Sequence, residues 1–216
     1  MQQQTKFEKI FLLTLVVLGW FALIGQFYLH ITLDIASKQE LFIRFFSYFT
    51  ILTNLFIAIC STVLFLNPHS SFGKFFQQQQ TRTALTIYIV VVGIIYNTIL
   101  RFIWDPQGMQ RVVDELLHLI IPVLFLLYWL IIVKKDSLQY KNVFPWLLYP
   151  FIYAVIVFIR GAYSGFYPYP FIDADKLGWN KALQNAGLLT VFFLAVSLLF
   201  VAFGKFISKR KLSNKV

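Results

Sequence analysis

The chain has 216 residues, of which 59% are hydrophobic, 19% aromatic and only 13% charged, and its formal net charge is +10. Its apolar runs reach about 20 residues or more, which is enough to cross the hydrocarbon core of a bilayer. This composition excludes an ordinary soluble protein. Most Lys and Arg residues lie between the apolar runs, where they set the orientation of the chain in the membrane and do not indicate nucleic-acid binding.

Six apolar segments predict membrane-spanning helices. They cover residues 8–30, 43–66, 84–104, 112–133, 144–162 and 182–207. No room is left for a separate soluble domain. We therefore expect one transmembrane domain over residues 1–216, an all-α polytopic bundle of six transmembrane helices.

Basic residues are distributed unequally between the two sides of these spans. Both ends of the chain and the connectors around 67–83 and 134–143 are rich in Lys and Arg, whereas most Asp and Glu residues fall in the other connectors. Because cytoplasmic segments carry the excess of basic residues, we expect both termini to be cytoplasmic.

The second span carries polar side chains in an apolar setting. With about 3.6 residues per turn, Ser47, Thr50 and Asn54 fall on one face of a helix, and hydrocarbon would penalise that face. It must contact protein, water or a ligand. Contact between helices is the ordinary alternative, since Ser, Thr and Asn are common at such interfaces.

The fourth span contains a histidine inside its outer half. Asp114 precedes His118 by one helical turn, so its carboxylate could hold one ring nitrogen and leave the other as a base. Pro122 lacks the N–H that would bond the His118 carbonyl, so we expect the helix to kink or open there. The alternative is a packing histidine bonded to a neighbouring helix.

Thr50 and His118 lie at similar depths when each span is counted from its outer end. A hydroxyl beside a histidine that a carboxylate orients is the arrangement that activates a weak nucleophile.

Further polar side chains are predicted at the same outer level. Asn97 lies one turn before Arg101, and Arg101 and Arg160 are candidates to hold a substrate carboxylate, with ordinary snorkelling as the alternative. Tyr169 is a further candidate for substrate binding, as is Ser47 of the second span. Tyr169 belongs to a last outer connector, 163–181, that is rich in Tyr, Pro and Asp. We expect this connector to lie at the membrane interface, as an anchor or as a lid over the outer half.

Three motifs resemble the androgen-induced and androgen-dependent integral membrane proteins and their prokaryotic six-helix relatives. The motifs are Tyr48-Phe49-Thr50 with Asn54, His118 with Pro122, and Tyr169-Pro170-Phe171-Ile172-Asp173. The eukaryotic members are threonine hydrolases that cleave fatty acid esters of hydroxy fatty acids. The prokaryotic relatives imply the plasma membrane of a bacterium.

By this resemblance, Thr50 is the nucleophile and His118 the base, although a gap-free alignment from Arg44 would place Ser47 at the nucleophile position. From the residues we add Asp114 to orient His118, and Asn54, Asn97 or Arg101 to stabilise the oxyanion. No metal or other cofactor is needed, and the expected partners are a lipid-like substrate and bilayer lipids, without nucleic acid.

The alternative is a non-catalytic membrane protein that binds or transports a lipid or small amphiphile. Intramembrane Arg and His residues are also common in transport paths, although no repeat of the transporter kind is visible in the sequence.

The predicted orientation can be tested by accessibility. A cysteine introduced near Asp173, with Cys60 replaced, should react with an impermeant thiol reagent added to intact cells, because this connector is expected outside. A cysteine in the connector 134–143 is the control and should react only after lysis. The reverse pattern would overturn the orientation.

Overall fold

The computed structural model describes residues 4–213. These residues are 82% helical and include no strand. Six helical segments are long and apolar enough to cross a membrane, which confirms the all-α, multi-pass architecture. The chain divides into two compact units, of which the first ends at Lys134 and the second begins at Lys135.

The first unit contains seven α-helices among its described residues. They are α1 (Lys6–Ile31), α2 (Lys38–Phe45), α3 (Phe49–Leu66), α4 (Ser71–Gln77), α5 (Gln79–Thr98), α6 (Gly108–Glu115) and α7 (Ile121–Ile131), with a 3₁₀ turn at Leu100–Phe102 and a π-helical stretch, the π segment, at Leu116–Ile120. The second unit contains α8 (Val143–Ser164), α9 (Ala174–Leu177) and α10 (Trp179–Ser213), with 3₁₀ turns at Tyr140–Asn142 and Pro170–Ile172.

Four spans of the first unit form a ring. Helix α1 contacts α3, α3 contacts α5, α5 contacts α7, and α1 also contacts α6 and α7. Of the residues in the most apolar 18-residue stretch of each helix, 56% are buried in α3 and 28% in α1. Helix α3 is therefore the more central helix, and α1 leaves most of its surface for lipid. Gly19 of α1 lies beside Ala58 of α3, and these small residues allow the two helices to approach closely.

The predicted second span, 43–66, is not one helix. Helix α2 ends at Phe45 and α3 begins at Phe49, and the backbone is extended at Tyr48. The Ser47 hydroxyl donates to the Ile43 carbonyl at 2.8 Å, within this bend. Thr50 and Asn54 share a face of α3, but the prediction that Ser47 belongs to the same helical face is wrong.

The bend has a physical cause in short-range contacts. Helix α2 begins at a Ser37 cap and carries an ion pair between Arg44 and Glu40 at 2.8 Å, so it is polar along one side and suits the membrane interface. Aromatic rings fill the bend, with the centroid of the Phe45 ring 5.1 Å from those of both the Phe27 and the Phe46 rings.

The second unit is a helical hairpin of α8 and α10. Its short connector contacts both helices, and a small core joins Phe158 of α8, Tyr167 and Ile172 of the connector, and Ala182 of α10. The connector is therefore anchored to its own hairpin. Its role as a lid stays a prediction.

Gly161 of α8 lies against the Tyr167 ring. A Cβ at this position would overlap the Tyr167 ring. We expect Gly161→Ala to destabilise the second unit by about 1–3 kcal/mol, the usual cost of overfilling a well-packed site. Thermal unfolding in mild detergent measures this.

Gly187→Ala in α10 is the matched control. Outside its own helical backbone, no described atom lies within 4 Å of the added Cβ, so this change should be neutral or stabilise the helix by about 0.5–1 kcal/mol. Equal melting temperatures for the two variants would contradict the Gly161 contact.

Candidate active site

The fourth span widens into the π segment just before Pro122. The N–H of Ile121 donates to the Leu116 carbonyl, five residues back, instead of to the Leu117 carbonyl. Pro122 has no N–H for the carbonyl of His118. Two successive carbonyls, those of Leu117 and His118, therefore lose their usual helical donors, as expected from the proline.

Asn54 of α3 caps the first of these carbonyls. Its Nδ2 donates to the Leu117 carbonyl at 3.2 Å and to the Thr50 carbonyl at 2.9 Å. Both amide hydrogens are therefore used. The amide lies between the backbone of Thr50 and the π segment.

Asn97 of α5 caps the second carbonyl. Its Nδ2 donates to the His118 carbonyl at 3.1 Å and to the Gly93 carbonyl at 2.8 Å, and its Oδ1 accepts from Arg101 Nε at 2.9 Å. Both ends of this amide are satisfied. Asn54 and Asn97 thus hold the π segment from the two neighbouring helices.

The imidazole of His118 is held on one side by Asp114. Nδ1 lies 2.9 Å from the backbone carbonyl of Asp114 and 3.3 Å from its carboxylate Oδ1. Since both partners are acceptors, the hydrogen is on Nδ1. Among the described residues all hydrogen bonds to this ring are made through Nδ1, so neutral His118 has its lone pair on Nε2.

Tyr96 fixes the same imidazole from its face. Its ring stacks on the His118 ring with centroids 3.9 Å apart and planes 15° from parallel, and its hydroxyl donates to Asp114 Oδ2. Tyr96 is 3% exposed and Asp114 is 5% exposed. Tyr96 was not among the predicted site residues. A buried tyrosine hydroxyl and a buried carboxylate each need a hydrogen-bond partner, and this need is a signal that could have paired them.

Arg101 makes a bidentate ion pair that the sequence does not predict. Its two terminal nitrogens lie 2.6 and 2.8 Å from the carboxylate oxygens of Glu115, and Nε donates to Asn97. A substrate carboxylate at Arg101 would have to compete with Glu115, so its predicted role as a clamp has no support here.

The predicted oxyanion donors are engaged elsewhere. The amide hydrogens of Asn54 and Asn97 and all three guanidinium nitrogens of Arg101 already bond to protein oxygens. Their role as oxyanion donors stays a prediction. An oxyanion at either asparagine would have to displace one of these bonds, whereas each terminal nitrogen of Arg101 keeps a second hydrogen.

Thr50 lies in the first turn of α3 and is 7% exposed. The ring hydrogen bonds of His118 go to Asp114, so among the described residues none joins His118 to Thr50 directly. The two are linked through Asn54, whose amide bonds to the Thr50 carbonyl and to the carbonyl of the residue before His118. The structure thus brings the predicted nucleophile and base to neighbouring helices around one amide.

Arg160 and Tyr169 belong to the second unit. The Arg160 guanidinium lies 5.0 Å from the centroid of the Phe166 ring, and NH1 donates to the Phe166 carbonyl at 3.4 Å. The Tyr169 ring stacks on Phe171 at 5.2 Å. Both side chains contact their own connector, and their predicted contact with a substrate stays a prediction.

No group of three or more His, Cys, Asp or Glu side chains suited to a metal ion occurs within the described part of the chain. Comparison with protein-family models, with characterised proteins and with solved structures returned no match. The resemblance drawn from the three motifs therefore stays a prediction.

The capping role of Asn97 can be tested with Pro122. Asn97→Ala should destabilise the protein by about 1–2 kcal/mol, because the His118 carbonyl loses its donor. In a Pro122→Ala background residue 122 has an N–H for that carbonyl, so the same change should cost less. Equilibrium unfolding in detergent of the four proteins should give a coupling free energy of at least about 0.5 kcal/mol.

Thr98→Ala is the matched control for this cycle. The Thr98 hydroxyl bonds to the Ile94 carbonyl of its own helix, away from the π segment. Its effect should be the same in the wild-type and the Pro122→Ala backgrounds. Additive effects of Asn97 and Pro122 would remove Asn97 from the capping of His118.

Proposed function

We propose that the protein is an intramembrane threonine hydrolase that cleaves an ester in a lipid-like substrate, such as a fatty acid ester of a hydroxy fatty acid. One observation carries the proposal. The His118 side chain is only 13% exposed, its Nδ1 is held by Asp114 and its ring is held by Tyr96. This leaves Nε2 as an acceptor on the π segment, which contacts the helix that carries Thr50.

The groups can perform acylation in two proton transfers. Thr50 Oγ1 attacks the ester carbonyl carbon while His118 Nε2 takes the hydroxyl proton. When the tetrahedral intermediate collapses, the bond to the leaving alkoxide breaks and Nε2–H returns the proton to it. The alcohol leaves, and the acyl group remains on Thr50 Oγ1.

Asp114 and Tyr96 are positioning residues in this scheme. The Asp114 carboxylate and carbonyl keep the hydrogen on Nδ1 and face the imidazolium that forms when Nε2 takes a proton. The stacked Tyr96 ring restricts rotation of the imidazole, and its hydroxyl fixes the carboxylate. A preorganised base needs less rearrangement in the transition state.

The setting supports a substrate dissolved in the bilayer. The helices that carry Thr50 and His118 are apolar enough to cross a membrane, so an acyl chain would approach the site from hydrocarbon. The charge distribution supports an orientation with both termini in the cytoplasm and this site in the outer half of a bacterial plasma membrane.

Covalent labelling tests the proposed nucleophile. Purified protein in detergent is treated with a lipid-like fluorophosphonate, which forms a stable adduct with an activated hydroxyl. We expect wild type to be labelled. Thr50→Val, which replaces the hydroxyl with a methyl group, and His118→Gln should each lose labelling by at least about 100-fold.

Ser47→Ala is the matched control, because it removes the other hydroxyl that the motif alignment allows. Labelling should persist in this variant, since Ser47 lies in the bend and bonds to the Ile43 carbonyl. Labelling lost in Ser47→Ala and kept in Thr50→Val would reassign the nucleophile. A folded wild type that takes no label contradicts the hydrolase and favours lipid binding or transport.

A further inference from the structure

The two asparagines that cap the π segment differ at one atom. Asn97 is satisfied at both ends of its amide, whereas Asn54 Oδ1 has no hydrogen-bond donor among the described residues. Asn54 is only 1% exposed, so this oxygen does not face bulk solvent. A buried acceptor without a donor is uncommon in folded proteins and requires an explanation.

The hydrogen bonds of Asn54 show which end of the amide is unsatisfied. Two carbonyl oxygens, those of Thr50 and Leu117, lie 2.9 and 3.2 Å from the atom placed as Nδ2. A flipped amide would set an oxygen against both of them, so this end is the NH₂ group. The unsatisfied atom is therefore the acceptor Oδ1, and its missing partner must be a hydrogen-bond donor.

The Asn54 amide lies close to the backbone of both proposed catalytic residues. The amide bonds at once to the backbone of Thr50 and to the residue before His118, so it lies between the proposed nucleophile and base. An acceptor cannot stabilise an oxyanion. It can hold an O–H group.

We propose that Asn54 Oδ1 positions the hydrolytic water for release of the acyl group from Thr50. This inference rests on the proposed function. It replaces the expected donor role of Asn54 with an acceptor role, and it makes Asn54 a residue of deacylation and not of acylation.

The step balances with water as the co-reactant. One hydrogen of the water donates to Asn54 Oδ1 and the other is taken by His118 Nε2, while the water oxygen attacks the carbonyl carbon of the Thr50 ester. Collapse of the tetrahedral intermediate breaks the bond from that carbon to Thr50 Oγ1. His118 Nε2–H returns its proton to Oγ1, and a fatty acid leaves.

Burst kinetics separate the two halves of the reaction. Purified protein is mixed with a p-nitrophenyl ester of a fatty acid, whose release of nitrophenolate reports acylation in the burst and deacylation in the steady state. In Asn54→Leu we expect the burst to remain and the steady-state rate to fall about 10- to 100-fold relative to wild type. Intact mass should show acyl groups accumulating on the protein, and peptide mapping should place them on Thr50.

Asn97→Leu is the matched control. It uncaps the neighbouring carbonyl of the same π segment but removes no unsatisfied acceptor. It should change both phases alike and leave no accumulated acyl-enzyme. Asn54→Leu behaving in the same way would overturn the inference and leave the hydrolase standing.

Asn54→Asp is the conservative rescue. A neutral Asp side chain keeps a carbonyl oxygen for water and one O–H for a backbone carbonyl, so deacylation should stay within about tenfold of wild type. A folded Asn54→Asp that deacylates as slowly as Asn54→Leu contradicts the acceptor role. Should Asn54→Leu not fold, Asn54→Ala takes its place with the same expected loss of deacylation.

The outcome for wild type distinguishes the two proposals. A wild type without burst, acyl-enzyme or turnover contradicts the proposed function itself. A wild type with a burst whose deacylation survives loss of the Asn54 side chain contradicts only the role of Asn54.

Discussion

The first unit depends on two backbone carbonyls that Pro122 and the π segment deprive of helical donors. A carbonyl in hydrocarbon without a donor is costly, so the Leu117 and His118 carbonyls must be capped from outside their own helix. Asn54 and Asn97 cap them from the two adjacent spans. The same bonds that satisfy the backbone therefore bring α3 and α5 against the turn that carries His118.

Helix α5 and the 3₁₀ turn after it supply three further partners of the fourth span. Tyr96 bonds to Asp114, Asn97 to the His118 carbonyl, and Arg101 to Glu115. These side chains of α5 and the turn that follows it occupy a little more than one helical turn, and they face successive polar groups of the fourth span. Because each polar group has a specific partner, the register between the two helices is fixed by hydrogen bonds and not only by apolar contact. That fixed register determines where the imidazole lies.

The sequence predicts the spans well, because long apolar runs have few alternatives, and it predicts local relations such as Asp114 to His118 and the opening at Pro122. It fails at Ser47, where no Gly or Pro marks the bend and the aromatic run continues without a break. It also misses Tyr96 with Asp114 and Arg101 with Glu115. These pairs cross between helices, so they depend on which spans are neighbours, and one sequence without homologues does not contain that information.

The resulting site contains two acceptors that no described residue satisfies. The amide hydrogens of Asn54 and Asn97 and the guanidinium of Arg101 are engaged, whereas His118 Nε2 and Asn54 Oδ1 receive no hydrogen bond from the described residues. Such a site attracts O–H groups and repels a carboxylate. In the proposed reaction, the hydroxyl to be deprotonated and the water molecule match these acceptors, whereas the fatty acid anion would not, and this mismatch would favour release of the acid.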